Sequence, residues 1–187
     1  MNTSKDYYDK LGELESSNRY NIQNEKGYLG KYQMGEPALV DSGYYTRKQN
    51  YGDYKNQWDM PFTGKMGVKT KNDYLNNKEA QEDAVRKYHG YLWEATKKIA
   101  KENHGKIING VKMTYSGMLA GAFLVGQGGL ESFIEGFESN RLGNPERYPY
   151  NGKWTDKLNL DIGNPDTDKG HWITLENGKH LFIKDKV

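Results

Sequence analysis

The sequence contains no cysteine, which excludes disulfide bonds, thiolate metal sites and a cysteine nucleophile. It also lacks an uninterrupted apolar run near the ~18 residues that a membrane-spanning helix needs. Blocks of like charge are missing and the net charge is only +2, so the sequence does not indicate a surface for nucleic acid. We therefore expect a protein with no nucleic-acid partner and no membrane span.

The first residues, Met-Asn-Thr-Ser-Lys-Asp-Tyr-Tyr, lack the apolar stretch of a signal peptide. We therefore expect synthesis in the cytoplasm without a signal peptide. The length of 187 residues is sufficient for one hydrophobic core with at most a short appendage.

Tyrosine is the abundant aromatic residue, with 15 copies beside 4 tryptophans, in a chain whose mean hydropathy is -1.01. Both side chains combine a flat apolar face with a polar edge, so they serve in core packing and in stacking on sugars. Composition alone leaves both uses open for any single ring.

The hydrophobic periodicity predicts mainly helical structure. Ser4 caps a predicted helix that ends at Glu15, and the clearest apolar stripe predicts a second helix over about 77–102. Pro37 is predicted to open a short helix. A strongly apolar segment over 117–125 is predicted to be capped by Thr114 or Ser116. A glycine-rich break at 126–129 follows it, and a further helix begins after the break.

Two regions are predicted to be non-helical. The Asn-, Gly- and Tyr-rich stretch 16–35 indicates a hairpin or an ordered loop. Near the end of the chain, alternating residues around Asn177-Gly178 predict a β-hairpin. The predicted class is therefore mainly α (α+β), with a small hairpin in the first part and an irregular C-terminal segment that ends in a second hairpin.

Two nearby stretches resemble the motifs of lytic transglycosylases and goose-type lysozymes. The first is Glu15-Ser16-Ser17-Asn18-Arg19-Tyr20-Asn21, and the second is Gly27-Tyr28-Leu29-Gly30-Lys31-Tyr32-Gln33-Met34-Gly35. Further segments match in the same order, at 73–84 and at 116–129. The resemblance covers about Tyr7 to Phe137. It implies a lysozyme-like catalytic domain over 1–140 and a C-terminal extension over 141–187 that packs on this domain or is appended to it.

What the resemblance implies is cleavage of the β-1,4 bond between N-acetylmuramic acid and N-acetylglucosamine in peptidoglycan. Glu15 would be the general acid and base, and Ser16 would position it or bind near it. The substrate-binding residues implied by the same motifs are Ser16, Tyr28, Tyr32, Gln33, Met34 and Phe123. No cofactor is implied, and lytic transglycosylase and muramidase remain equally open, because the same acid serves both reactions.

The sequence departs from the family at Phe123 and Leu124, where many relatives have a Tyr-Asn pair whose side chains form hydrogen bonds. This departure favours the alternative of a non-catalytic glycan-binding module in a phage tail or secretion apparatus. Retention of Glu15 favours the enzyme.

A second catalytic carboxylate is not identified by the pattern. Glu25, Glu36, Asp41 and Asp53 all lie in or near the predicted groove segments. Glu13 is two residues from Glu15 and therefore points in a different direction from the helix. The four histidines show no metal-ligand spacing, so no metal site is predicted.

Because peptidoglycan lies outside the cytoplasm, an enzyme of this kind needs delivery to the periplasm or cell wall of a host or target bacterium. Phage lysis and injection between bacteria are two routes that the sequence does not separate. The second route implies an immunity or inhibitor protein as partner.

Overall fold

The computed structural model describes residues 4–135, 155, 157–158, 170–174 and 180–184, with backbone alone in the last two ranges. This part of the chain is mainly helical with small antiparallel sheets, which confirms the predicted class. The helices are α1 (Ser4–Ser16), α2 (Glu36–Asp41), α3 (Lys71–Leu75), α4 (Lys78–Asn103) and α5 (Tyr115–Glu135). Among these residues, no helix has the length and apolar character to cross a membrane.

The strands form two separate hairpins. Strands β1 (Ile107–Ile108) and β2 (Val111–Lys112) pair between α4 and α5. Strands β3 (Gly170–Thr174) and β4 (His180–Lys184) pair with Trp172 opposite Phe182, as the C-terminal alternation predicts. The Asn177-Gly178 turn lies outside the described residues. Segment 16–35 forms turns with isolated bridges, such as Leu29 with Met34.

The chain divides into two compact units, one made of Tyr8–Tyr91 and the other of Met1–Tyr7 with Leu92–Val187. The predicted domain boundary at 140 lies outside the described residues and stays a prediction. The Tyr8–Tyr91 unit has a core rich in tyrosine. Its largest fully buried side chains are Tyr32, Tyr44, Tyr74, Leu11, Leu29, Met34 and Leu39.

In the other unit, α5 begins at a hydroxyl cap, since the Gly117 amide donates to Thr114 Oγ1 at 3.1 Å. The start of this helix packs against the later chain: Ser116 Oγ donates to the Leu158 carbonyl at 2.7 Å. The predicted glycine-rich break is confined to Gly126, whose φ of 74° kinks α5, and the helix continues to Glu135.

Candidate active site around Glu15

Glu15 lies in the last turn of α1, and the backbone that follows it is unusual. Ser17 and Asn18 both adopt left-handed conformations, with φ of 56° and 58°. Their amides donate to the carbonyls of Glu13 and Gly12 at 3.0 Å each, which ends the helix sharply. A non-glycine residue in the left-handed backbone conformation lowers the free energy of unfolding by of order 1–3 kcal/mol. Residues with this conformation concentrate at functional sites.

The Glu15 carboxyl is half-buried and, among the described residues, it has no hydrogen bond and no ion pair. Burial raises its pKa from the ordinary value of 4.5 to about 8, because removal from water disfavours the charged form. Within the part of the chain that the structure describes, no neighbouring charge contributes to this shift of the pKa. The carboxyl is therefore mostly protonated at neutral pH and can donate a proton.

Glu13 provides the contrast on the same helix. Its side chain is 59% exposed and forms an ion pair with Lys10 at 3.0 Å. The two glutamates therefore separate as the helical geometry requires, with one acid solvated and paired and the other held away from water.

A chain of buried hydrogen bonds fixes the position of the helix end that carries Glu15. Ser16 Oγ donates to the Lys31 carbonyl at 2.8 Å, and the Lys31 amide donates to Gln81 Oε1 at 2.8 Å. Gln81 is fully buried on α4, and its Nε2 donates to the Tyr74 carbonyl at 2.9 Å. The residue next to the acid is thus connected through the backbone of Lys31 to the interior of the Tyr8–Tyr91 unit.

Gly30 is required by this arrangement. Its φ is +74°, and a Cβ at this position would overlap the Gln81 side-chain amide. A larger residue would therefore push the turn at 30–33 away from α4.

The predicted substrate-binding residues separate into buried and accessible ones. Tyr32 and Met34 are each 1% exposed, so they pack in the core and do not offer a wall to a ligand. Gln33 is partly exposed in a left-handed conformation, and its Nε2 donates to the Gly30 carbonyl at 3.0 Å. Tyr28 is 37% exposed.

Phe123 is half-buried on α5, and Leu124 beside it is 44% exposed. Both belong to the other compact unit. The role of Phe123 in substrate binding stays a prediction.

Glu82 is a central residue that the sequence did not single out. Its carboxylate accepts hydrogen bonds from the Tyr20 and Tyr32 hydroxyls, from Lys31 Nζ at 3.0 Å and from Arg86 at 2.8 Å. Burial alone would raise its pKa, but these hydrogen bonds outweigh burial and hold the pKa at about 2. Glu82 is ionised at neutral pH and binds the 30–33 turn to α4. The sequence feature that could have identified Glu82 is its spacing from Arg86, because residues four apart on one helix can form an ion pair.

The candidate second carboxylates differ sharply in environment. Glu36 is completely buried. Its carboxylate accepts hydrogen bonds from the Tyr45 hydroxyl and from the backbone amides of residues 55, 56 and 58. It also forms an ion pair with Lys48 Nζ at 3.2 Å. It therefore organises the loop after α2. Glu25 and Asp53 are exposed.

Asp41 remains as the partly accessible acid among these four. Its side chain is 21% exposed at the end of α2, and its ion pair with Arg47 spans 3.8 Å. Burial raises its pKa and the Arg47 charge lowers it less.

A depression of about 530 Å³ lies among loop residues that include Arg47, Lys48, Asp53 and Asp59. Lys48 forms ion pairs with Glu36 and Asp59, so its charge is already compensated within the loop.

Across the described ranges, no group of three or more histidine, aspartate or glutamate side chains could hold a metal ion.

Comparison of the chain with protein families, with curated proteins and with solved structures finds no match. The family resemblance of the motifs therefore stays a prediction.

Proposed function

We propose that this protein cleaves the glycan strands of bacterial peptidoglycan at the β-1,4 bond between N-acetylmuramic acid and N-acetylglucosamine. The observation that carries the proposal is the Glu15 carboxyl, which is half-buried, unpaired among the described residues and raised in pKa to about 8. Glycosidic cleavage requires a carboxylic acid that is protonated at working pH beside the leaving oxygen. The motif resemblance supports the choice of substrate.

In the proposed reaction, Glu15 donates its proton to the glycosidic oxygen as the bond from that oxygen to the muramyl C1 breaks. The resulting carboxylate then takes a proton from the group that attacks C1. If the attacking group is the muramyl 6-hydroxyl, the product carries a 1,6-anhydro end. If it is water, the product carries a reducing end, and Glu15 is again protonated in both cases.

Rigid placement of the acid also supports the proposal. General acid catalysis needs the donor within hydrogen-bond reach of the leaving oxygen. The Ser16–Lys31–Gln81 hydrogen bonds fix the backbone on the C-terminal side of Glu15. A fixed helix end reduces the ordering of the backbone that substrate binding would otherwise have to supply.

The test compares purified wild type, Glu15→Gln and Glu13→Gln on peptidoglycan sacculi. We expect wild type and Glu13→Gln to solubilise the sacculi and Glu15→Gln to release nothing. Mass spectrometry of the released fragments assigns anhydro or reducing ends. Binding of sacculi by wild type without any release would instead support a non-catalytic glycan-binding module.

We further propose that the enzyme acts in the cell wall of a host or target bacterium, in phage lysis or in attack between bacteria. Expression in a bacterial host, with and without an added periplasmic export signal, tests this. Lysis that requires export and is lost in Glu15→Gln is the expected result. In the attack route, co-expression of a cognate immunity protein would suppress the lysis.

A further inference from the structure

The Lys31 side chain is a buried cation that lies between α1 and α4. It is 5% exposed, although a lysine side chain is almost never fully buried unless it is paired. Its Nζ donates to Glu82 Oε1 of α4 at 3.0 Å and to Asp9 Oδ1 of α1 at 3.3 Å. The two carboxylates compensate the charge, and one lysine side chain thereby joins the two helices.

The aliphatic stem of Lys31 packs directly on α1 at Gly12. A Cβ added at Gly12 would lie 2.5 Å from Lys31 Cε, 2.8 Å from Lys31 Cγ and 2.5 Å from Asn18 Oδ1. A glycine inside a helix is less favourable than an alanine. The helix therefore has its least favourable small residue at the point where the lysine stem crosses it, and this residue leaves room for the stem.

The contacts of Lys31 with α1 follow one face of this helix as far as its last turn. Asp9, Gly12 and Ser16 are separated by three and four residues, which is the spacing of one helix face. Ser16 Oγ donates to the Lys31 carbonyl at 2.8 Å. Glu15 follows Gly12 by three residues and precedes Ser16. Lys31 therefore contacts α1 on both sides of the acid along the chain, with its side chain before Glu15 and with its carbonyl after it.

The support for the Lys31 ammonium group is itself fixed. The ring centroids of Tyr20 and Tyr32 lie 5.2 and 5.0 Å from Nζ, within the range of cation–π contacts. Both hydroxyls donate to Glu82 Oε1, at 2.7 and 2.8 Å. Arg86 donates to Glu82 Oε2 at 2.8 Å. The carboxylate that holds Lys31 is therefore bound from several directions, unlike one partner of an exposed ion pair.

We propose that the Lys31 side chain is a positioning residue for Glu15, which holds the C-terminal half of α1 against α4 and keeps the end of this helix closed to water. Its role in catalysis rests on the proposed function. Among the residues that the structure describes, no charge contributes to the pKa of Glu15. Lys31 therefore acts through the position of the helix and not through its own charge.

The first test measures the environment of the acid without turnover. Lys31→Met keeps an unbranched stem and removes the cation between Asp9 and Glu82, so the two helices lose their connection. The pKa of the Glu15 carboxyl is measured by ¹³C NMR titration, with Glu15→Gln to assign the signal. We expect about 8 in wild type and about 7 or below in Lys31→Met, because water that reaches a carboxyl favours its charged form.

The direction of this change separates positioning from other effects. Loss of a nearby positive charge would raise the pKa of Glu15, whereas entry of water lowers it. Loss of global stability alone would leave the pKa of the folded protein unchanged. A lower pKa in a folded variant therefore reports a helix end that has opened.

The second test measures fragment release from sacculi at pH 6, where the Glu15 carboxyl of wild type is protonated. Lys31→Met should lower the maximal rate roughly 10- to 100-fold, because small displacements of a catalytic group have effects of this size. The sacculus concentration that gives half of the maximal rate should change by less than about 3-fold, since the acid contributes to the transition state more than to binding.

Gly12→Ala perturbs the same contact from α1. The added Cβ displaces the Lys31 stem, while alanine itself favours the helix, so any loss of rate does not come from a weaker helix. This variant should change the pKa of Glu15 and the maximal rate in the same directions as Lys31→Met. If Lys31→Met does not fold, Gly12→Ala decides on the same two measurements.

Lys78→Met is the matched control. Lys78 Nζ also lies over the Tyr20 ring, at 5.4 Å, but its side chain is exposed. The same substitution at this position should leave the pKa of Glu15 and the rate of release unchanged. Circular dichroism and the urea midpoint establish that each variant is folded.

The outcomes separate this proposal from the proposed function. An unchanged or raised pKa of Glu15 in folded Lys31→Met overturns the positioning role. If wild type releases no fragments while Lys31→Met lowers the pKa of Glu15, the cleavage proposal fails and the placement of the carboxyl by Lys31 stands. If wild type cleaves sacculi and Lys31→Met matches it in rate and in the pKa of Glu15, the positioning role fails and the cleavage proposal stands.

Discussion

Replacing Glu15 by glutamine should stabilise the protein in a pH-dependent way. In the folded chain the Glu15 carboxyl has a pKa of about 8, against 4.5 for an ordinary glutamate. Between these values the folded state binds more protons than the unfolded state, so wild-type stability falls as pH rises. Glutamine is neutral throughout and does not contribute this loss.

The size of the effect follows from the pKa. Between pH 4.5 and about 8, the destabilisation that Glu15 contributes grows by about 1.4 kcal/mol for each pH unit. At pH 7 it reaches about 3 kcal/mol, an upper value because the carboxyl keeps some contact with water. Above about pH 8 both states are ionised and the difference levels off.

Urea unfolding at pH 4, 5.5, 7 and 8 measures the difference between Glu15→Gln and wild type. We expect the free energies of unfolding to be nearly equal at pH 4 and to diverge as pH rises, with the variant more stable. Subtracting wild type removes the pH dependence of all other groups.

Glu13→Gln is the control, because its partner on the solvated side of α1 is Lys10. Exposed ion pairs contribute about 0–1 kcal/mol, so Glu13→Gln should differ little from wild type at any of these pH values. A difference for Glu15→Gln that does not change with pH would refute the protonated, buried acid.

Three further substitutions test the supports of the site by urea unfolding and by release of fragments from sacculi. Ser16→Ala removes the buried hydrogen bond to Lys31 and should lower the free energy of unfolding by about 1–2 kcal/mol. It should also lower kcat by a larger factor than it changes KM, because the acid is less well positioned. An unchanged kcat would contradict the positioning role of Ser16. Gly30→Ala forces a Cβ onto Gln81 at positive φ and should destabilise by roughly 1–3 kcal/mol; a neutral effect would show that the turn relaxes freely. Glu36→Ala leaves several donors without their acceptor and should cost about 3–5 kcal/mol; full stability would contradict its role in organising the loop.

The helices could be predicted because they depend on local periodicity. The apolar spacing around Leu11 gave α1, and the long stripe ending near residue 102 gave α4, within one residue of Asn103. Glycine placement was less decisive. The cluster at 126–129 predicted a break, yet only Gly126 leaves the helical conformation and α5 continues.

The site was only partly predictable, because side-chain environment is a tertiary property. The motif singles out Glu15, but no local pattern indicates how far its carboxyl is removed from water. Tyr32 lies inside because Glu82, some fifty positions later, accepts its hydroxyl. Glu36 looked like a catalytic candidate, and its four donors become visible only when the loop after α2 is folded.

The central claim is that the protonated Glu15 carboxyl cleaves the glycan strand. The most direct measurement is the pH dependence of fragment release from sacculi by wild type and Glu15→Gln between pH 5 and 10. We predict a wild-type rate that falls above about pH 8, as Glu15 loses its proton, and no release by Glu15→Gln at any pH. Equal release by both proteins, or no release by either, would contradict it.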